Sequence, residues 1–580
     1  MHSITQRLKR ERLAKRIARW YRAGTFGYPQ WEKILRADQA KWDEVRRNSK
    51  GTRKVLIATS VGAFLPGTMV ESTLSVALTL RGAEVHVFLC DSVLPACLEC
   101  DVNWWIRDQE RFVQHGPAKD LCGSCFSPAK KMYESLGVVV HRYSECLTAE
   151  EIQHADSLSK SISIGEIEDY TTDHIAVGEH ALAGALRFFA RGTLDGEPFA
   201  EDVLRRYFKA SLLTMYATQG LLRKHHFDSA VFHHGIYVPQ GLIGEVCRRE
   251  EVRVINWNPA YRSGCFIFSH GDTYHHTLMS EPVSTWENMV WTQKMESDVM
   301  EYLRSRWYGT RDWIFFHENP EIDLGKIERE LGIDFSKPCV GLLTNVFWDA
   351  QLHYPANAFP SMMDWVLQTI GHFRKRQDLQ LIIRIHPAEI KGFVKSRQLV
   401  ADEIRRAFPD LPQNVFLIPP ESPIGTYAVM ERCNAVLIFG TKTGVELTSM
   451  GIPVIVAGEA WIRNKGITMD AGSRDEYFRM LEALPLKERL PDDVVRRARK
   501  YAYHFFFRRM IPLEMIEPRK GYPPYKVSPG GIEDFRLKRS LGLDVVCNGI
   551  LAGSDFVYPA ELEEVSHVEA QTAPEVGHTR

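Results

Sequence analysis

The stretch AVLIFGTKTGVELTSMGIPVIV, residues 435–456, carries the pattern from which the fold is predicted. It opens with a short apolar run, AVLIF, whose length and composition are typical of a buried strand, and it closes with a second such run, PVIV. Between the two runs, Gly440 and Gly444 flank a polar loop that leads into a helical segment. A strand, a glycine-containing loop, a helix and another strand in this order predict one unit of a parallel α/β sheet.

The same alternation extends along most of the chain. Nearby runs predict three more strands, CVGLLTN (339–345), LQLIIRI (379–385) and NVFLIP (414–419). An earlier series of strand candidates is separated by helical stretches and comprises KVLIATS (54–60), EVHVFLC (84–90), GVVVHRY (137–143), DSAVFHHG (228–235) and VRVINW (252–257). We therefore predict an α/β protein with two doubly wound, Rossmann-like parallel-sheet domains that face each other across a cleft.

A chain of 580 residues is too long for a single hydrophobic core. The predicted segments are a helical N-terminal arm (1–50), an N-terminal domain (51–285) with a cysteine-rich insertion (90–125), a helical linker (286–335), a C-terminal domain (336–485), C-terminal helices with an extension (486–555) and a tail (556–580). The tail is polar and poor in apolar residues, so we expect it to be disordered.

The composition argues against several classes of protein. The formal net charge is −1, which gives no sign of a nucleic-acid partner. No run of about 18 uncharged apolar residues is present, so no membrane-spanning helix is predicted. The N-terminus also lacks the apolar core of a signal peptide. We therefore expect a cytoplasmic protein.

The N-terminal arm contains a strongly basic segment. Eight Lys or Arg residues lie between Arg7 and Arg22, against the single acid Glu11. Such a helix either packs on the first domain with a solvated basic face or lies on an anionic membrane surface. The second alternative would place the protein peripherally at the inner face of the cell membrane.

Polar residues follow two strands of the predicted second domain, where open α/β sheets bind their ligands. His386 and Pro387 end the strand LQLIIRI, and a histidine there can donate a hydrogen bond to a phosphate, with Arg384 adding charge. The alternative is a structural histidine at a capped strand end. After AVLIF, the hydroxyls of Thr441 and Thr443 and the following helix start predict an anion site.

Glu446 lies in the first turn of the helix that follows AVLIF. A carboxylate there can accept hydrogen bonds from a ribose diol or simply complement the helix dipole.

These motifs resemble a known family. The stretches RIHPAE (384–389) and GTKTGVELTSMGIPVIVAGEAWIRNKGIT (440–468) are similar to those of the capsule polysaccharide biosynthesis family of bacterial glycosyltransferases, which includes relatives of Kdo transferases. The resemblance covers roughly residues 338–475 and is looser over 51–280. It implies a GT-B enzyme that transfers a sugar from a nucleotide-sugar donor to a surface or capsular glycan.

The resemblance also implies roles for individual residues. The nucleotide part of the donor would be held by Arg384, His386, Thr441, Thr443, Gly444 and Glu446. The basic residues Arg463 and Lys465 would neutralise phosphate charge as the bond to the sugar breaks, which is the main electrostatic task in glycosyl transfer. The implied partners are a nucleotide-sugar and a glycan or lipid-linked glycan acceptor.

The first domain must supply a general base if the reaction inverts the sugar configuration. Glu71 begins the helix after the first loop, and it is either that base or a favourable charge at a helix N-terminus. His233 and His234 end a strand, and we single out His234 as the second catalytic candidate. The segment NWNPAYRSGCFIFSHG (256–271) has the polar and aromatic density that suits carbohydrate binding.

Two Cys-x-x-Cys pairs stand out in the insertion. Cys97 with Cys100 and Cys122 with Cys125 match a four-thiolate zinc site, which we expect to be a structural staple near the cleft. An iron–sulfur cluster, also built from four thiolates, is one alternative, and buried thiols without a metal are the other. Cys90 is a fifth cysteine nearby.

Two other functions compete with glycosyl transfer. A sugar-nucleotide 2-epimerase of GT-B fold has a similar donor pocket, but it lacks a cysteine insertion and an N-terminal arm. The protein could also be a non-catalytic scaffold of a polysaccharide assembly complex, which would not need an intact donor site. The intact set of His386, Thr441, Glu446 and Lys465 argues against a scaffold.

Overall fold

The computed structural model describes residues 27–106, 108–313, 319–350, 352, 354–392 and 394–562, together with residues 13, 14 and 17. Nearly all of the basic segment 7–22 and most of the predicted tail 556–580 therefore lie outside the described residues. In the part of the chain that the structure describes, no helix combines the length and apolarity needed to cross a bilayer.

The first sheet has seven strands in the order β13-β6-β5-β4-β1-β2-β3. Its strands are β1 (Lys54–Ser60), β2 (Glu84–Leu89), β3 (Val139–Arg142), β4 (Ser229–His233), β5 (Arg253–Pro259), β6 (Cys265–His270) and β13 (Ile511–Pro512). The five strands from β3 to β5 pair in parallel, in the order 3-2-1-4-5 of the first five strands of a dinucleotide-binding sheet. β1 is buried along nearly its whole length because helices cover both faces of the sheet.

The strand β6 corrects one sequence prediction. The segment 256–271, expected to be a carbohydrate-binding stretch, forms much of an antiparallel hairpin in which Asn256 pairs with Ser269. Arg262 donates a hydrogen bond to the carbonyl of Phe506 at 3.0 Å, and His270 stacks on Phe556. Arg262 and His270 therefore contact the C-terminal segment, whereas the buried side chains of Asn256 and Ser269 make no hydrogen bond within the part of the chain that the structure describes.

The second sheet has six parallel strands in the order β12-β11-β10-β7-β8-β9. They are β7 (Cys339–Leu343), β8 (Gln380–Arg384), β9 (Val415–Ile418), β10 (Ala435–Ile438), β11 (Val454–Val456) and β12 (Met469–Asp470). Counted within this unit, the order is that of a dinucleotide-binding fold. A separate small hairpin joins β14 (Ile516–Pro518) to β15 (Tyr525–Val527).

Helices surround both sheets. In chain order they are α1 (Trp31–Ile34), α2 (Gln39–Asn48), α3 (Leu65–Leu80), α4 (Val102–Trp105), α5 (Gln109–His115), α6 (Phe126–Ser135), α7 (Ala149–Ser161), α8 (Val177–Phe189), α9 (Ala200–Lys224), α10 (Gln240–Arg249), α11 (Tyr274–Ser280), α12 (Ser284–Glu287), α13 (Gln293–Arg306), α14 (Leu324–Leu331), α15 (Met362–Phe373), α16 (Ala388–Lys391), α17 (Val400–Ala407), α18 (Thr426–Met430), α19 (Thr443–Ser449), α20 (Arg474–Glu482), α21 (Asp492–Tyr503) and α22 (Leu541–Ala552).

The C-terminal segment returns to the first sheet. A π-helical turn, His504–Arg508, continues α21, and β13 then pairs antiparallel with β6. Phe556, at the start of the predicted disordered tail, is buried and packs against Phe268 and His270. Ordered packing therefore extends past position 555.

Two separate parallel-stranded units confirm the predicted α/β fold of GT-B type. The arm helices α1 and α2 bury Trp31 and Trp42, and Trp42 donates a hydrogen bond to the carbonyl of Leu136 at 3.1 Å. Between the units, Tyr237 after β4 donates a hydrogen bond to Asp349 after β7, with 2.9 Å between oxygens. The loops that follow the strands of both sheets therefore meet in one cleft.

Candidate active site

The cleft is closed by a polar contact between the two units. The hydroxyl of Tyr237 donates to Oδ1 of Asp349 and accepts a hydrogen bond from the amide of Ala350 at 2.8 Å. Tyr237 is buried, whereas Asp349 is exposed. An exposed carboxylate is thus held in a fixed orientation by the opposite unit.

His386 lies where the sequence predicted, directly after β8. Its Nδ1 accepts a hydrogen bond from the amide of Ala388 at 3.1 Å, so the neutral ring carries its proton on Nε2. Burial, together with the nearby cations Lys442 and Arg384, lowers the pKa of His386 to about 4. The ring is therefore neutral at physiological pH and acts as a hydrogen-bond donor.

The loop before α19 adds a cation that sequence reasoning passed over. Lys442 lies close enough to His386 to lower its pKa, and its Nζ lies 4.6 Å from the centre of the Tyr261 ring. The hydroxyls of Thr441 and Thr443 are 3.2 Å apart beside it. One cation, two hydroxyls and an imidazole N–H are suited to an anionic ligand.

Glu446 belongs to a buried ion cluster. Its Oε1 lies 3.1 Å from Nε of Arg306 and 2.9 Å from Nζ of Lys442, and Tyr427 donates a hydrogen bond to Oε2. Burial alone would raise the pKa of Glu446, but the two cations and the hydrogen bonds hold it at about 2. Arg306 in turn pairs with Asp312. Both oxygens of Glu446, expected to meet a ribose, are thus engaged by protein groups.

Three basic residues implied by the family resemblance bind main-chain carbonyls. Arg384 donates to the carbonyl of Pro419 at 2.8 Å, and Arg463 to that of Ala471 at 2.8 Å. Lys465 donates to the carbonyl of Glu281 at 2.7 Å, and burial lowers its pKa to about 8. Arg384 and Arg463 thus hold loops of the second unit in place, whereas Lys465 ties that unit to the end of α11.

Gly444 also has a packing role. A Cβ atom added there would lie 2.7 Å from Cδ1 of Ile438 and 3.3 Å from Cγ2 of Ile462. Glycine is therefore required for α19 to lie close against the sheet.

Glu71 lies deeper than the sequence predicted. Its side chain is about 1% exposed, and its Oε1 accepts a hydrogen bond from Nε1 of Trp257 at 3.1 Å. Burial raises the pKa of Glu71 to about 7, although hydrogen bonds from Thr59, Trp257 and the His233 backbone oppose the rise. This pKa suits a general base, but the carboxylate lies behind the cleft wall.

His234 follows β4 with a left-handed backbone, φ 66°, and its ring stacks on Tyr237 with 5.0 Å between centres. Burial, together with the charge on Arg187, lowers its pKa to about 3. The ring is therefore a neutral part of the cleft wall.

Sequence reasoning missed several residues of this wall. His275 on α11 lies within electrostatic range of His234 and Asp349, and burial lowers its pKa to about 3. Its neighbour His276 pairs with Asp272 at 3.0 Å and packs edge-on against Tyr354. Two adjacent histidines at a helix start were the one sequence signal that could have identified His275 and His276. They were not considered because no predicted strand ends just before them.

The cysteine insertion does not support the predicted zinc site. Sγ of Cys97 lies 3.9 Å from Sγ of Cys100, as a shared ion would require. Among the residues that the structure describes, however, no three Cys, His, Asp or Glu side chains are grouped closely enough to hold one metal ion. The set of Cys97, Cys100, Cys122 and Cys125 is therefore not arranged as a single tetrahedral centre.

Solved structures with detectable similarity share little sequence with the chain. Thermosulfurimonas dismutans KpsC, beta Kdo 2,4 transferase, is 10% identical with a TM-score of 0.31, covering 47% of this chain and 79% of its own. The beta Kdo 2,7 transferase of the same organism's KpsC is 10% identical with a TM-score of 0.30, covering 55% and 88%. UDP-GlcNAc 2-epimerase from Neisseria meningitidis, bound to UDP-GlcNAc, is 10% identical with a TM-score of 0.23, covering 77% and 94%. At these TM-scores the similarities do not identify the reaction.

A similarity to a known family comes from the sequence of the second unit. No curated protein matches the chain. Residues 323–499 match the family model described as capsule polysaccharide biosynthesis protein. This range contains β7 to β12 and both motifs on which the resemblance rested. The chain is thus similar to the capsule polysaccharide biosynthesis family over residues 323–499.

Proposed function

We propose that the protein is a glycosyltransferase that transfers a sugar from a nucleotide-sugar to a growing surface or capsular glycan. The observation that carries the proposal is the proximity of His386 and Lys442 at the carboxyl edge of the second sheet, together with Asp349 of the same unit, whose carboxylate accepts a hydrogen bond from Tyr237 across the cleft. An anion-binding group and an oriented carboxylate on one cleft are what displacement of a nucleotide from a sugar needs.

His386 and Lys442 are the proposed ligands of the donor phosphates. The imidazole donates a hydrogen bond from Nε2, and the ammonium supplies positive charge to the departing nucleotide. The Thr441 and Thr443 hydroxyls complete this group. Because Glu446 fixes Lys442 through an ion pair of 2.9 Å, we propose that Glu446 positions the cation and makes no contact with the donor.

Asp349 is the proposed proton acceptor for the attacking hydroxyl. Its carboxylate is exposed to the cleft and is oriented by Tyr237, as a third group orients the base in other nucleophilic sites. His234 packs on Tyr237 and would fix that ring. Glu71 would act as a positioning residue, since Trp257 and His233 separate it from the cleft.

The acceptor is proposed to be a glycan or a lipid-linked glycan. Tyr261, beside Lys442, is half-buried and would offer its exposed edge to a sugar, while its ring lies 5.9 Å from the buried Trp461 ring. Aromatic faces bind the apolar faces of sugars while their polar edges remain available for hydrogen bonds.

Incubation of the full chain with nucleotide-sugars, with and without glycan acceptors, tests the proposal. We expect nucleotide release that requires an acceptor, with the sugar recovered on that acceptor. A 2-epimer formed without an acceptor would identify an epimerase instead. Absence of turnover with every donor, while the protein is folded, would favour a scaffold and contradict the proposal.

A further inference from the structure

The first Cys-x-x-Cys pair forms a tight turn that brings its two thiols close together. The amide of Cys100 donates to the carbonyl of Cys97 at 2.9 Å, which closes a turn around Leu98 and Glu99. The ends of a β-turn lie within about 7 Å of each other, and disulfides join Cα atoms that are about 4.4–6.8 Å apart. The two Sγ atoms lie 3.9 Å apart. Rotation of the side chains can therefore bring the sulfurs to the bonding distance of about 2.05 Å.

The backbone of this turn is held by groups outside it. The Tyr207 hydroxyl donates to the carbonyls of Cys97 and Cys100, with 3.2 and 3.4 Å between oxygens. The amide of Leu98 donates to the carbonyl of Val238 at 2.8 Å. None of these hydrogen bonds involves a sulfur atom, so a bond between the two sulfurs is compatible with all of them.

The two thiols differ in their access to solvent. Cys100 is fully buried, whereas Cys97 is partly exposed and borders a cavity of about 20 Å³ that Cys100 does not border. A single water needs roughly 10–15 Å³, so this cavity admits a molecule little larger than water. Hydrogen peroxide is an oxidant of that size, and a bulky disulfide is not. A small oxidant therefore reaches Cys97 first.

We propose that Cys97 and Cys100 are a peroxide-sensitive dithiol that closes to a disulfide. The Cys97 sulfur attacks one oxygen of hydrogen peroxide, the O–O bond breaks, and a sulfenic acid and one water are formed. The Cys100 thiol then loses its proton and attacks the Cys97 sulfur, so that the S–S bond forms and the sulfenic oxygen leaves as a second water. The two thiols lose two electrons, and the peroxide gains them.

The environment of Cys100 suits the second step and not the first. Burial raises the pKa of Cys100 well above its usual range, so this thiol is protonated at rest. Arg206 lies within electrostatic range of Cys100, and its positive charge favours the thiolate that the second step needs. Cys100 therefore reacts because a sulfenic acid forms next to it, and not because it is a free thiolate.

The turn is connected to the wall of the cleft. Leu98, between the two cysteines, packs in one apolar group with Val61 and Tyr237. Arg187 donates to the carbonyl of Leu98 at 2.5 Å, and its guanidinium lies over the Tyr237 ring. The Tyr237 hydroxyl accepts a hydrogen bond from the amide of Ala350 in the second unit. Oxidation of the pair should therefore alter the contact between the units. The inference does not depend on the proposed glycosyl transfer.

Mass spectrometry of the full chain, first reduced and then treated with hydrogen peroxide, tests the inference. We expect the loss of two hydrogen masses, reversed by dithiothreitol, and a peptide map that joins Cys97 to Cys100. A disulfide from Cys97 to Cys90, Cys122 or Cys125 would overturn the proposal. So would a folded protein in which peroxide leaves both thiols reduced or carries Cys97 to a sulfinic acid without a disulfide.

Three variants separate the two steps. Cys100→Ser should stop at a sulfenic acid on Cys97, which dimedone labels, and Cys97→Ser should give neither the label at this turn nor the disulfide. Cys247→Ser, a buried cysteine on α10, is the control and should behave like the parent protein. Cys100→Ser protein that resists labelling at Cys97 would overturn the order of steps. The peptide map of the parent protein decides the main question even if a variant fails to fold.

Hydrogen exchange at the Ala350 amide measures the effect on the cleft, because this amide donates to Tyr237. Its exchange rate should change several-fold when the parent protein is oxidised and should return after dithiothreitol. Peroxide should leave the rate unchanged in Cys97→Ser. An unchanged rate in parent protein that contains the disulfide would show that the pair does not act on the cleft.

Discussion

His386 and His234 each follow a parallel strand at its carboxyl end, β8 in the second sheet and β4 in the first. Both rings are partly buried, and burial lowers their pKa values to about 4 and about 3. Their surroundings differ. His386 lies beside the cation Lys442, whereas His234 stacks on Tyr237, which holds Asp349.

The difference shows that a strand-end histidine has no fixed chemistry of its own. A neutral imidazole beside a cation forms an anion site, and the same group beside an oriented carboxylate forms part of an acid–base region. The partners that decide between these roles come from loops far away in sequence. Variants that alter only the His386–Lys442 group or only the Tyr237–Asp349 group should therefore separate effects on donor binding from effects on the chemical step.

The largest effect is expected from Asp349→Asn. If Asp349 accepts the proton of the attacking hydroxyl, kcat should fall by about 10²- to 10⁴-fold, because the amide cannot act as a base. Donor affinity, measured by calorimetry, should be unchanged. Asp402→Asn, an exposed aspartate on α17, is the control. Equal loss of donor binding and kcat in Asp349→Asn would place this residue on the donor side.

The next largest effect concerns stability. Glu446→Gln leaves Arg306 and Lys442 without their shared counter-charge in a buried site, which typically costs about 3–5 kcal/mol. We expect a clear drop in the thermal unfolding midpoint.

The surface variant Glu421→Gln is the matched control for Glu446→Gln, since both remove one carboxylate from the second unit. A Glu446→Gln protein that melts like the parent and loses only donor affinity would restore the ribose-binding interpretation.

His386→Ala should mainly weaken the donor side. Loss of one strong hydrogen bond to phosphate corresponds to about 2–3 kcal/mol, or roughly 30- to 150-fold in kcat/KM. His372→Ala, a partly buried histidine on α15, should leave kcat/KM unchanged. A His386→Ala protein with parental donor affinity would show that Lys442 alone defines the anion site.

The sequence predicted the fold well where strands are long and apolar. β1, β4, β7, β8 and β10 were all recognised from runs of buried aliphatic residues. β12 and β13 were missed because each has only two residues, and β6 was missed because its polar neighbours suggested a binding loop. Short edge strands form because they pair with a neighbouring strand, and the sequence of the short segment itself carries no information about that neighbour.

The site was predictable only in part for a similar reason. Local motifs located His386, Thr441 and Glu446 correctly at strand and helix ends. The partner that engages Glu446 is Arg306, which lies on α13 outside the second unit's sheet, and no local pattern connects them. Likewise, Lys465 is basic and follows a family motif, but its partner is the carbonyl of Glu281. A local motif therefore predicts where a residue lies, but the contacts that determine its role come from segments distant in sequence.

The smallest expected effect is a pH dependence of stability that both histidines share. Each titrates near pH 6.5 when unfolded but near 4 or below when folded, so the unfolded chain binds more protons between these values. Stability is therefore fully present above pH 6.5 and falls as the pH is lowered. From pH 7.5 to 5.5, each should cost about 1.4 kcal/mol. Unfolding measured at both pH values should show a smaller loss in His386→Gln and in His234→Gln, but not in the exposed control His154→Gln. Identical losses in all three variants would mean that other groups control the acid sensitivity.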